Sequence, residues 1–154
     1  MERAGRKVKQ LLQKNDPFKE SHCGSDQCFV CSTTGRGRCR RNGINYKIRC
    51  KEVGECGGFE YGGETFKNGF SRGGEHCRQY RAGTEGSVMR KHIMRHHGGR
   101  EVEFKMEITE YVRNDGTLRQ VTEAVRINQI PEERRMNDQT EWNIARIPRL
   151  AIEM

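Results

Sequence analysis

The sequence predicts an α/β chain: a small, largely antiparallel three-stranded sheet flanked by helices, preceded by a cysteine-rich loop segment. Three observations carry that expectation. Ile44, Tyr46, Ile48 and Cys50 alternate with polar residues, as do Val102, Phe104, Met106 and Ile108, which is the period of a strand with one buried face. Between and after these runs the apolar spacing changes to that of helices. Only 32% of the 154 residues are hydrophobic while 32% are charged, so the apolar core must be small. Chains this poor in core commonly rely on metals or disulfides, and seven cysteines are present to serve.

Residues 1–20 read as a basic helix or linker, helical from Arg6 to Lys14 and stopped by Asp16-Pro17. Residues 21–41, holding Cys23, Cys28, Cys31 and Cys39 among Gly, Ser and Arg, read as a loop that a metal would have to organise. The main domain is expected over 42–145. In it, the strand from Ile44 to Lys51 leads through a Gly-containing loop, Glu52 to Gly58, into a short second strand, Phe59-Glu60-Tyr61, ended by Gly62-Gly63. A polar stretch from Arg72 to Tyr80 becomes helical toward its end. Ser87 to His97 is a helix closed by Gly98-Gly99. After the third strand, Asp115-Gly116 turns the chain into a helix from Thr117 to Ile130, on which Leu118, Val121, Ala124, Val125 and Ile127 form one apolar arc. Residues 146–154 are a C-terminal tail.

The chain opens Met1-Glu2-Arg3-Ala4-Gly5-Arg6-Lys7 with no apolar stretch behind it, so no secretory signal is expected. No run approaches the roughly 18 apolar residues of a membrane span, so no membrane partner is expected. An intracellular setting keeps thiols reduced and favours metal ligation over disulfides. The cysteine spacing agrees. Cys23, Cys28, Cys31 and Cys39 stand as C-x4-C-x2-C-x7-C, and gaps of that size let tight turns supply neighbouring ligands to a tetrahedral zinc. Cys50 and Cys56 on the hairpin, with His92 and His97 at the end of a helix, make a second zinc set, with His96 as the alternative to His97.

The net charge of +8 points to a polyanionic partner. From Gln27 to Lys51 no acidic residue occurs, while Arg36, Arg38, Arg40, Arg41, Lys47 and Arg49 do. These are the candidate contacts to nucleic-acid phosphates; the alternative is that the arginines balance the surplus negative charge of four thiolates on one zinc.

The remaining polar residues take meaning from their order. Gly43-Ile44-Asn45-Tyr46 is followed by Tyr61-Gly62-Gly63, then by Arg72 and His76 four residues apart, Glu123 on the late helix, and Asn137 after it. In that order they resemble the motifs of the GIY-YIG nuclease family, with Asn45 adding a residue to the first motif and Gly62 standing where the second usually has Ile. Cysteines between the two tyrosine motifs, a later histidine pair and the upstream four-cysteine cluster resemble the branch carried by Penelope-like retroelements. The resemblance spans about residues 22–145. It implies a metal-dependent DNA endonuclease acting in the nucleus, nicking DNA to supply the primer for a reverse transcriptase domain or protein and its RNA. It assigns Tyr46, Tyr61 and His76 to activating and placing the water, and Arg72 to the phosphate charge. It gives Glu123 one Mg²⁺ or Mn²⁺, and Asn137 the orientation of the phosphate or the glutamate. The alternative is a non-catalytic, zinc-dependent nucleic-acid-binding module on a degenerate nuclease fold.

Overall fold

A computed structural model describes residues 23–33 and 38–138. The expected helix within 1–20, Arg36, and the tail 146–154 lie outside the described residues. The element order is α1 (Phe29–Thr33), β1 (Asn42–Cys50), α2 (Val53–Cys56), β2 (Glu60–Asn68), α3 (Gly69–Arg81), α4 (Val88–His96), β3 (Phe104–Tyr111) and α5 (Gly116–Gln129), followed by a 3-10 turn (Glu132–Arg134). The chain is thus mixed α/β around a three-stranded sheet of order β2-β1-β3, antiparallel throughout.

β1 is the central strand because its alternation gives both neighbours a face to share. Tyr46 pairs with Gly63 on one side and Ile108 on the other; Ile48 pairs with Tyr61 and Met106. Ile44, Tyr46, Ile48 and Cys50 are buried against α1, α3 and α4. The opposite face of β1 and β2 is covered by α5, and Asn45 donates from Nδ2 to the Arg119 carbonyl at 3.2 Å to join the two layers. Gly43, which opens the first motif, has φ +73° and would place a Cβ 2.7 Å from the Val112 carbonyl oxygen, so only glycine fits there. Among the described residues no helix is long and apolar enough to cross a membrane.

The structure corrects several sequence expectations. β2 runs through Gly62-Gly63 to Asn68 rather than ending at Tyr61. Register decides this: Lys47 pairs with Gly62 and Tyr46 with Gly63, and the ladder supplies what glycine's low strand propensity lacks. α3 begins at Gly69, earlier than expected, because Asn68 accepts a capping bond from the Ser71 amide at 2.8 Å. The loop over 21–41 contains a turn and a half of helix, α1, whose Phe29 and Val30 are buried. On α5 the apolar arc is too wide. Ile127 is buried and Val121 and Ala124 half-buried against the sheet, but Leu118 and Val125 lie past the margin of contact and are exposed.

Candidate active site and metal-ligand clusters

Three side chains from β1 and α3 meet at one oxygen. The Tyr46 hydroxyl lies 2.9 Å from His76 Nε2 and accepts from Arg72 Nε at 3.0 Å. The spacing Arg72-x-x-x-His76 puts both side chains on the face of α3 that overlies β1, one turn apart. The Tyr46 ring lies across β2 at Gly63, where a Cβ would fall 2.5 Å from both Cζ and the hydroxyl oxygen. The glycine therefore opens the path by which Tyr46 reaches α3. Tyr61 completes the group, its ring centroid 6.4 Å from Tyr46 and 6.1 Å from His76.

Proton positions follow from the bonding. Arg72 Nε–H can only donate to the hydroxyl oxygen, and in the tautomer that leaves His76 Nε2 unprotonated the Tyr46 proton points to that nitrogen. Burial, then the adjacent Arg72 charge, bring His76 down to about 4, against a weaker opposing pull from Glu75. Burial pushes Tyr46 up to about 12, with Arg72 working against the shift and Glu123 and Glu64 adding to it. Near neutrality the pair is therefore a protonated phenol on a free-base imidazole. Tyr46, Tyr61 and His76 are all buried, and Arg72 is the member that opens to solvent.

Glu75 is a member that the sequence does not single out. Its carboxylate receives Arg72 Nη1 at 2.8 Å and also pairs with Lys67, which fixes the guanidinium over the phenol. Two bonds fix Asn137: Nδ2 donates to the Gly62 carbonyl at 2.8 Å, and Oδ1 accepts from the Gly62 amide at 2.9 Å. Its buried amide thus anchors β2 one residue beyond Tyr61. Glu123 is half-buried on α5 and acts on the Tyr46 phenol electrostatically, as does Glu64, whose carboxylate pairs with Arg119 at 2.9 Å. Gly62 packs against Ile127, which comes within 3.0 Å of where a Cβ would stand, so α5 fills the space an isoleucine would take.

Two further groups converge. Cys23, Cys28, Cys31 and Cys39 offer four sulfur atoms, and Cys50, Cys56, His92 and His97 offer two sulfurs and two nitrogens; within each group the ligand atoms lie within 4.8 Å of one another. Each set can hold a metal ion. The first is shaped by α1: the Cys31 amide approaches Cys28 Sγ at 3.4 Å, and Cys39 is tied to α3 through a bond from the Phe70 amide to its carbonyl. Burial pushes the Cys28 thiol up to about 11 and the Cys50 thiol up to about 12, and raises that of Cys39. Thiols so placed ionise when a divalent cation offsets the charge, which suits the donor sets to a thiophilic metal. Of the two histidine choices, His97 belongs to the second group, while His96 is exposed and stacks on Phe59 at 4.1 Å.

The basic residues divide. Lys47 and Arg49 lie on the α5 face of β1 and both pair with Glu60, at 3.5 and 2.7 Å. Arg40 and Arg41 are exposed on the approach to β1, with Arg40 over the Phe70 ring and Arg41 over Tyr111, and the Arg38 amide donates to the Tyr111 hydroxyl. No family model, curated protein or solved structure matches this chain.

Proposed function

We propose that the chain is a metal-dependent DNA endonuclease of the GIY-YIG type, nicking phosphodiester bonds in the service of a Penelope-like retroelement. One observation carries the reading: a tyrosine hydroxyl, a free-base imidazole and an arginine meet within 3.0 Å, on residues in the order the resemblance requires. The phenol is protonated yet bonded to an acceptor, so it can take a proton from an attacking water while passing its own to His76 Nε2. Tyr61 packs against both partners and limits their motion. Arg72, held by Glu75 and open to solvent, faces the phosphate and neutralises its growing charge.

A half-buried carboxylate whose charge reaches the Tyr46 phenol suits a hard cation, and Glu123 would hold Mg²⁺ or Mn²⁺ there. That ion, when bound, supplies Lewis-acid stabilisation of the leaving oxygen. Asn137 serves by holding the strand that carries Tyr61 rather than by touching phosphate, since its amide is engaged on both sides with Gly62. Zinc is the metal for the two soft donor sets, each closed by four protein ligands and therefore structural. Arg38, Arg40 and Arg41 contact DNA phosphates, the RNA-bearing reverse transcriptase is the partner that uses the nick, and the nucleus is where both meet DNA.

A second reading has its own support. Tyr46 is only 2% exposed and His76 4%, as expected of a hydrogen-bonded core on a zinc-dependent DNA-binding module without catalysis. Incubating supercoiled plasmid with the protein and Mg²⁺ or Mn²⁺ separates the two. The nuclease reading expects nicked circles, with Tyr46→Phe slower by about 10²-fold and Glu123→Ala by about 10³-fold at nearly unchanged thermal stability. Intact plasmid under every metal, with DNA still bound, would establish the binding module instead.

A further inference from the structure

His97 is held at both nitrogens of its ring. Nε2 lies 3.5 Å from Cys50 Sγ and 3.1 Å from His92 Nε2, inside the cysteine–histidine group. Nδ1, on the other side, lies 2.8 Å from Glu55 Oε2. An ionised carboxylate only accepts, so Nδ1 carries the proton and the lone pair is left on Nε2, aimed at the other ligand atoms. Arg100 Nη2 donates to both Glu55 oxygens from the solvent side. The short helix α2 thus gives the group two things one residue apart: the ligand Cys56 and the carboxylate behind His97.

His92 has no such support. Its Nε2 faces the group, but its Nδ1 is buried without a hydrogen-bond partner. His96 points out of the group onto Phe59. The donor set therefore contains one imidazole anchored by a carboxylate and one that is not. With two thiolates matching a divalent cation, and Glu55 matched by Arg100, the charges of the whole assembly cancel.

We infer that Glu55 is the positioning residue of this metal centre: it fixes the Nδ1–H tautomer and ring orientation of His97, selects His97 over His96 as the fourth ligand, and strengthens the Nε2–metal bond. The inference rests on the zinc reading of the Cys50, Cys56, His92, His97 group. A carboxylate behind a ligating imidazole is worth about 10- to 100-fold in metal affinity.

The test uses the full chain loaded with Zn²⁺, with zinc release followed in competition against a chromogenic chelator. Cys56→Ser is measured first: it should lose one of two zinc ions and so mark which release belongs to this centre. Glu55→Ala should then weaken that centre about 10- to 100-fold and leave the four-cysteine centre unchanged. Glu55→Gln, whose amide oxygen still accepts from Nδ1–H without the charge, should fall between Ala and the parent. Arg100→Ala removes only a solvent-exposed ion pair and should stay within about threefold of the parent. Zinc held as tightly by Glu55→Ala as by the parent overturns the inference while leaving the zinc site standing. An Arg100→Ala loss equal to that of Glu55→Ala overturns it too, because the effect would then belong to the surface pair. If Cys56→Ser loses no metal, the zinc reading fails, and the role of Glu55 falls with it.

Discussion

Replacing Gly63 by alanine tests the centre of the site without altering Tyr46, Arg72 or His76 themselves. The added Cβ would stand 2.5 Å from Tyr46 Cζ and from its hydroxyl oxygen, and 3.0 Å from Cε1. Carbon contacts relax only near 3.5 Å, so the ring must retreat by about 1 Å. It has little room, being 2% exposed between β2 and α3. A retreat of that size carries the hydroxyl, now 2.9 Å from His76 Nε2 and 3.0 Å from Arg72 Nε, past hydrogen-bonding reach of at least one partner. Overpacking of this kind costs about 1–3 kcal/mol, and a buried bond left unmade about 1–3 kcal/mol more. The two overlap, since the ring moves once, so about 2–4 kcal/mol is expected in all. In a chain of this length that corresponds to a fall in melting temperature of roughly 6–15 °C. Nicking should drop by at least about 10²-fold, because displacement by an ångström is enough to spoil a reacting geometry.

Thermal melts and plasmid nicking, both with zinc and Mg²⁺ present, read the outcome. Gly54→Ala and Gly86→Ala are the controls, since nothing lies within 4 Å of a Cβ at either position. Gly62→Ala should fall between, its Cβ meeting Ile127 Cγ1 at 3.0 Å. A Gly63→Ala protein that melts and cuts like its parent would refute the crossing of Tyr46 over β2, and so would equal losses in the controls.

Two other expectations follow from charge. His76 is brought from 6.5 to about 4 in the fold, so the unfolded chain takes its proton first as pH falls. Its contribution to stability is therefore level above about pH 6.5, declines through the window down to about 4, and is flat below. The shift corresponds to about 3 kcal/mol. Urea unfolding should show the parent losing about that much more than His76→Gln between pH 7 and 4; parallel curves would mean His76 is not buried neutral. For DNA, changing Arg38, Arg40 and Arg41 together to Ala should flatten the log–log salt dependence of binding by up to about three units. Changing Lys47 and Arg49, both paired with Glu60, should move the slope far less, and the reverse order would relocate the binding face.

The parts of this fold that the sequence reveals are those where burial imposes a period. β1 shows its alternation because one face is packed along its length, β3 because Phe104 and Met106 are buried at its start, and α4 shows its serine cap and Gly98-Gly99 end. β2 and the start of α3 are hidden by glycines, whose local propensity opposes both elements. Gly69 and Gly73 are there because α3 lies too close for side chains: a Cβ would meet Ile108 Cδ1 or Phe29 Cβ at 2.9 Å. At the site, the spacings of Arg72 with His76 and of Cys28 with Cys31 are legible, since each needs only about one turn of backbone to bring its pair together. Glu75 is not, because the neighbouring glycines hide the helix that sets it one turn from Arg72, and Glu55 is not, because it acts on His97, whose position is set by tertiary packing. The choice of His97 over His96 has the same cause. His97 is the C-cap of α4, with φ −127°, and leaves the helical path that a wheel would extend to it.

β1 explains why a chain with so small an apolar core places cysteines where it does. Tyr46 stands at the middle of this strand, and the strand begins three residues after Cys39 and ends on Cys50. One ligand group therefore sits before its first residue and the other at its last, each reaching across to a different helix. The four-cysteine group is tied to α3 through the Phe70 amide on the Cys39 carbonyl, and the cysteine–histidine group to α4 through His92 and His97. α3 carries Arg72 and His76, so a metal bound by the four cysteines would also set where α3 starts relative to β1. A sheet of three strands has little interior to hold a phenol within 3.0 Å of two partners on a helix by packing alone. Metal held at both ends of its central strand would supply the constraint that a larger core would otherwise provide.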